Sequence, residues 1–169
     1  CRPASLASTI SSAADCRAAG RRCWWGGVGS GKTIFALQFL VHGAQDCKEP
    51  GSLVAFEESS ARIMSNAASF NWKLPAWTRQ KKLLLLDVQP SPDLVHAGDS
   101  DLIGMLAVLE AQVKALKVRR IVFDALDVVL ELLPDLATRR RELHRLHQWL
   151  LAHELTALIT AKAEGGVFS

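Results

Sequence analysis

Residues 26–33 read Gly26-Gly27-Val28-Gly29-Ser30-Gly31-Lys32-Thr33, which fits the spacing G-x-x-x-x-G-K-[ST]. A loop of this kind constrains the fold as well as the chemistry. Its glycines let the backbone wrap an anion with N–H groups, and a helix must follow with its N-terminus aimed at the same charge. A strand has to launch the loop and a helix has to receive it. Downstream the second demand is met: from Lys32 to about Gly43, the apolar residues Phe35, Ala36, Phe39 and Leu40 recur at helical spacing. Upstream, where a buried apolar strand belongs, the chain reads Arg21-Arg22-Cys23-Trp24-Trp25. With glycine at about 7% of residues, the loop pattern arises by chance only about once in tens of thousands of windows. The competing reading is a mere Gly-rich turn.

Beyond the loop, strand and helix alternate. Pro50-Gly51 marks a turn, residues 53–57 read as a short buried strand, and Ser59 or Ser60 caps a helix to about Phe70. Residues 83–87 form a second apolar strand. After a Pro-containing loop at 89–98, Asp99 or Ser100 caps a helix to about Leu116. Residues 120–124 are a strand, 138–153 a helix, and 157–161 a last strand. Strands this continuously apolar, separated by helices, predict an α/β fold with a mostly parallel sheet and helices on both faces. The 169 residues fit one domain with a sizeable core. No internal repeat is visible.

A net charge of +3 is too small to argue for a nucleic-acid partner. The basic cluster Arg139-Arg140-Arg141 reads as one solvated helix face. No apolar run reaches the roughly eighteen residues of a membrane span. The N-terminus lacks the apolar core of a signal peptide, so a cytoplasmic location and no membrane partner are expected. Cys1, Cys16, Cys23 and Cys47 have no metal-type spacing and are expected as free thiols. The opening on Cys1 rather than Met reads as an incomplete or mis-started chain.

The loop predicts Mg·ATP. Lys32 is placed to neutralise the β- and γ-phosphate oxygens, and the Thr33 hydroxyl to ligate Mg²⁺. Ile121-Val122-Phe123-Asp124 is an apolar strand ending in a carboxylate, the pattern that holds the Mg²⁺ shell, with Asp127 as a nearby competitor. Glu57 and Glu58 fall at the C-terminal edge of a parallel strand, where ligands bind in open α/β sheets. One of them is placed to deprotonate an attacking water; the alternative is two solvated acids capping the next helix. His144 and His147 lack a third ligand for a metal, Trp72 and Trp77 read as packing residues, and Ser59, Ser60 and Ser69 lack a nucleophile-elbow context.

Together "GSGKTIFALQFLVHG", "EPGSLVAFEES", "NAASFNWKL", "KKLLLLDVQP", "RRIVFDAL" and "RRRELHRLHQWL" resemble, in order, the KaiC-like ATPases, the circadian-clock branch of the RecA superfamily. The resemblance covers about residues 26–162. It implies a RecA-like P-loop domain binding ATP and Mg²⁺, with Lys32 and Thr33 at the phosphate and metal, Asp124 as the metal-shell acid, Glu57 and Glu58 as paired catalytic glutamates, and Ser69 as a nucleotide-contacting serine. It also implies hexameric rings with ATP between subunits, and a second domain that is an autokinase. The family's later strands, its Lys-x-Arg-Gly segment and its phosphorylated Ser/Thr pair have no counterpart before Ser169, so kinase activity and ring closure are not carried over.

The family's entry segment resembles T-G-I-P-G-x-D-x-L-L-G-G-G-L-P-x-G-R-x-x-L-V, and residues 1–25 show nothing like it. With permissive codons, the neighbouring reading frame can spell it. Whatever the codons, Trp24-Trp25 yields Val there, Cys23-Trp24 and Asp15-Cys16 yield Leu, and Arg22-Cys23 yields Leu, Val or Met. The expectation is therefore an atypical, frame-shifted or disordered segment at 1–25, followed by a partial ATPase domain at 26–169. If the chain is made as written, residues 23–25 must serve as a makeshift strand. The leading reading is an ATP-hydrolysing switch or motor within a homo-oligomer. The alternatives are a truncated, catalytically weak remnant that at most binds partners, and a RecA/RadA-type DNA recombinase relative.

Overall fold

The computed structural model describes residues 22–26, 31–88 and 101–162. The expected caps Asp99 and Ser100 and the loop residues Gly27, Val28, Gly29 and Ser30 lie outside them, as do residues 1–21 and 163–169.

Strand β1 is Arg22–Gly26, the segment with the least strand-like sequence. Helix α1 follows the loop at Lys32–His42, and the chain then winds through a π-helical turn, Gly43–Cys47. Strand β2 (Gly51–Ala55) leads to helix α2 (Ser60–Asn66) and a 3₁₀ turn, Ala68–Phe70. Helix α3 (Leu74–Arg79) precedes strand β3 (Leu83–Asp87). Helix α4 (Asp101–Leu116), strand β4 (Arg120–Asp124), the short helix α5 (Asp127–Glu131), helix α6 (Leu136–Ala152) and strand β5 (Thr156–Lys162) complete the described chain.

The five strands form one sheet in the order β1-β5-β4-β2-β3, and every pairing is parallel. Parallel neighbours need crossovers, so helices cover both faces. Side chains alternate across each strand, and the core divides accordingly. Leu53, Ala55, Val122 and Leu158 pack with Leu37 and Leu40 of α1, Ile63 of α2 and Leu74 of α3. Val54, Ile121, Phe123 and Ala157 pack on the other face with Leu106 and Leu109 of α4 and Leu146 and Leu150 of α6. β2 and β4 are buried along their whole length. Each buried Leu, Val, Ile or Phe of these strands contributes about 1.5–3 kcal/mol, which is why their centres show no polar alternation.

Several boundaries differ from the sequence expectation. β2 begins at Gly51, because the Gly51 amide donates to the Lys82 carbonyl at 3.0 Å and draws the apparent turn into the sheet. It ends before Glu57. The helix expected to reach Phe70 stops at Asn66 and tightens into the 3₁₀ turn. Ser59 caps α2, its hydroxyl accepting from the Arg62 amide at 3.4 Å. Trp72 and Trp77 pack against the α1-side core, as expected.

α6 starts two residues earlier than its periodicity predicts, because Asp135 caps it. The Asp135 carboxylate accepts from the Thr138 amide at 2.8 Å and the Thr138 hydroxyl at 3.0 Å. These bonds, the amide's first, hold the carboxyl below its ordinary 3.8. A depressed folded value means the cap stabilises the fold above pH 3.8 and is lost as pH falls through the lower folded value. Asp135→Ala is therefore expected to lower the thermal midpoint at neutral pH and to reduce the acid-induced fall in that midpoint, both read by circular dichroism. Equal midpoints for the two chains at pH 7 would contradict the assignment.

Candidate active site

The C-terminal ends of the strands bring the motif residues to one edge of the sheet. β1 enters the loop at Gly26, which lies opposite Lys162 in the β1–β5 register. Asp124 lies opposite Ala55, and Glu57 follows two residues later. Alternation places Asp124, Thr160 and Lys162 on the face that α1 covers, two and four residues beyond the inward-facing Val122 and Leu158.

Gly31 holds the N-terminus of α1 with φ 76°, a left-handed conformation that glycine adopts without penalty. No side chain caps this end and no acid lies in its first turn. Any acid that faces the partial positive charge of this helix end must therefore come from another element. In the first turn, Thr33 reaches β4 from 91 residues away: its hydroxyl donates to Asp124 Oδ2 at 2.8 Å. The Thr160 hydroxyl donates to Asp124 Oδ1 at 2.5 Å and in turn accepts from the Ala125 amide at 2.9 Å. Asp124 is 6% exposed, so its charge is held by these donors rather than by bulk water. Ala125, directly after it, sits at φ 62°, a left-handed conformation costing a β-carbon residue about 1–2 kcal/mol and typical of functional loops.

The competitor Asp127 is buried on α5, with Oδ1 accepting no hydrogen bond among the described residues. Only Asp124 of the two is joined to Thr33.

The paired glutamates diverge. Glu57 accepts from Lys162 Nζ at 2.9 Å. That bond and the charge behind it, helped by Asp127 and Glu131 and opposed by partial burial, raise the Lys162 ammonium above its ordinary 10.5. Lys162 therefore keeps its charge below that pH and gives up its proton only as pH rises through the higher folded value. Glu58 turns to α2, accepting from Asn66 Nδ2 at 3.5 Å with Arg62 Nε at 3.8 Å. Ser69 is exposed on the 3₁₀ turn and belongs to neither hydrogen-bonded set.

Thr160 and Lys162 escaped the sequence reading. Their signal was faint: two polar residues, two apart, near the end of a strand that is apolar from Ala157 to Ile159. Among the described residues no group of three or more His, Cys, Asp or Glu is arranged for a metal, and His144 and His147 stack with 6.3 Å between centroids. Of the basic cluster on α6, Arg139 donates to the carbonyls of Glu131 and Leu133, while Arg140 and Arg141 are exposed; Arg141 and Arg145 flank the buried Glu142. No described helix is long and apolar enough to cross a membrane.

A parallel sheet covered on both faces, with a glycine-led helix N-terminus beside the carboxylate that ends β4, defines a RecA-like P-loop domain. The chain belongs to the KaiC ATPase family, whose model matches residues 24–167. It is 37% identical over 138 residues to the circadian clock oscillator protein KaiC of Prochlorococcus marinus subsp. pastoris, covering 81% of this chain and 27% of that protein. The same figures, 37% over 138 residues, 81% and 27%, hold for the KaiC of Thermosynechococcus vestitus. The circadian clock protein KaiC2 of a Synechocystis strain is 35% identical over 138 residues, with 81% and 24% covered. The chain thus spans about a quarter of the length of these relatives.

Proposed function

We propose that this domain binds ATP with Mg²⁺ and hydrolyses it, as the nucleotide-dependent switch of a homo-oligomer. The observation that carries this reading is the 2.8 Å contact between Thr33, in the first turn after the loop, and Asp124, at the end of β4. It brings together the two oxygen donors that such a site needs from distant parts of the sequence.

These donors fit Mg²⁺. It prefers hard oxygen ligands and is commonly held by one or two carboxylates together with substrate phosphates, so a site with a single buried Asp and a hydroxyl suits it better than an all-protein cage. Thr33 and Asp124 would hold the ion, and Thr160 fixes the Asp124 carboxylate from its other oxygen. When bound, Mg²⁺ neutralises charge on the β- and γ-phosphate oxygens. The loop amides of Gly26, Gly27, Val28, Gly29, Ser30 and Gly31 cradle the phosphates, with Lys32 supplying the neutralising cation. Ser69 contacts the nucleotide from the 3₁₀ turn.

Glu57 is the general base. It takes a proton from water as the oxygen attacks the γ-phosphorus, the bond to the β-phosphate oxygen breaks, and ADP leaves with inorganic phosphate. Its ion pair with Lys162 orients the carboxylate and must loosen for it to accept the proton. Glu58, tied to α2, shapes the bend between β2 and α2. The relatives' clock names suggest a timing or signalling output.

The test is nucleotide affinity. Charge-assisted hydrogen bonds are worth about 1.5–3 kcal/mol, so Lys32→Ala is expected to weaken Mg·ATP binding about tenfold or more by calorimetry. Equal affinity in the two proteins would overturn the proposal.

A further inference from the structure

At the opposite edge of the sheet, where β4 begins, a second group of chemical side chains lies far along the strand from Asp124. Its frame is the π-helical turn after α1. The extra residue per turn brings positions 42, 46 and 47 face to face. His42 Nδ1 lies 2.6 Å from Asp46 Oδ2, and His42 Nε2 lies 3.8 Å from Cys47 Sγ. With the Nδ1 proton donated to Asp46, Nε2 presents its lone pair to the thiol. A nucleophile, a base in reach of it, and a third group orienting the base make the arrangement that activates cysteine.

Arg120 completes it from β4. Its guanidinium is pinned by Nε donating to Glu49 Oε2 at 2.6 Å and Nη1 to the Phe39 carbonyl at 3.1 Å, and it lies over the Phe39 ring at 4.9 Å. The remaining Nη2 donates to Cys47 Sγ at 3.3 Å. This close approach depends on Gly43, where a β-carbon would stand 2.5 Å from Arg120 Cδ. Cys47 itself is partly open to solvent, and none of these groups serves the nucleotide site.

We propose that Cys47 is a modification site, a thiol activated by His42 and Arg120 toward hydroperoxides. The sulfur attacks the distal peroxide oxygen, its proton passes to His42 Nε2, and the O–O bond breaks. The departing hydroxide or alkoxide takes that proton back from the imidazole. Sulfur is oxidised by two electrons to the sulfenic acid and the peroxide is reduced to water or an alcohol. Arg120 Nη2 stabilises the negative charge that gathers on sulfur, and Asp46 is a positioning residue for His42.

The test exposes the folded chain to hydrogen peroxide, traps sulfenic acid with dimedone, and reads each cysteine by peptide mass spectrometry. The same chain in denaturing urea gives the unassisted rate. Cys47 is expected to react about tenfold or more faster when folded, and His42→Gln to return it toward the urea rate. Asp46→Asn, at a position 52% exposed and so harmless to packing, is expected to act in the same direction, with folding verified by circular dichroism. A folded-state rate no higher than that in urea, or one that neither variant changes, overturns the proposal.

Discussion

Replacing Glu57 with Gln is expected to lower ATP turnover by about 10²–10⁴-fold, the usual contribution of a general base, while leaving Mg·ATP affinity within a few fold. The amide keeps the size of the side chain and can still accept from Lys162, so the bend after β2 is preserved. What it cannot do is receive a proton. Glu58→Gln provides the contrast: Glu58 leans on Arg62 and Asn66, and its loss is expected to change turnover by less than about tenfold. Steady-state phosphate release with matched binding isotherms separates the two. Comparable losses from both substitutions would mean that the glutamates act as a pair and that their divergence in the structure carries no functional weight. Unchanged turnover in Glu57→Gln would remove the proposed base altogether.

Phe123→Ala is expected to destabilise the domain by about 3–5 kcal/mol. Phe123 is fully buried in the central strand β4 and stacks on Phe56 with centroids 6.5 Å apart and planes 11° from parallel. Truncation removes the transfer energy of the ring and leaves a void that flanking strands, fixed on both sides by hydrogen bonds, cannot collapse to fill. Set against a typical total of about 5–15 kcal/mol, the loss brings the fold near its limit. Urea unfolding measures it. Val108→Ala, at a position 59% exposed on α4, is expected to stay within about 0.5 kcal/mol. A small effect at Phe123 would show that the core relaxes around it.

The strands were legible where the apolar run is uninterrupted, whether fully buried as in β4 or half-buried as in β3. Residues 83–87 and 120–124 are apolar runs bounded by polar residues, and both are strands over those same residues. α3 and α5 were missed because six and five residues are too few for a helical period to show. β1 is the opposite case. Parallel pairing uses backbone groups, so Cys23, Trp24 and Trp25 align with Ile159, Thr160 and Ala161 although their sequence gives no strand signal. At the site, Thr33 and Asp124 were legible because a spacing rule marks the first and a strand end the second. Thr160 and Lys162 were not, since their roles come from the neighbour each meets across the sheet, and no local pattern encodes that.

The position of β1 has one more consequence. It ends the strand order among the described residues, bonded there to β5 alone, as β3 is bonded to β2 alone at the other end. Edge elements open at lower free energy than the centre of a sheet, and any ligand that grips only the closed form adds its binding energy to that closure. Under the proposed function, occupancy of the loop and closure of the first strand are therefore a single linked equilibrium. On that reading nucleotide secures β1, and whatever secures β1 tightens nucleotide.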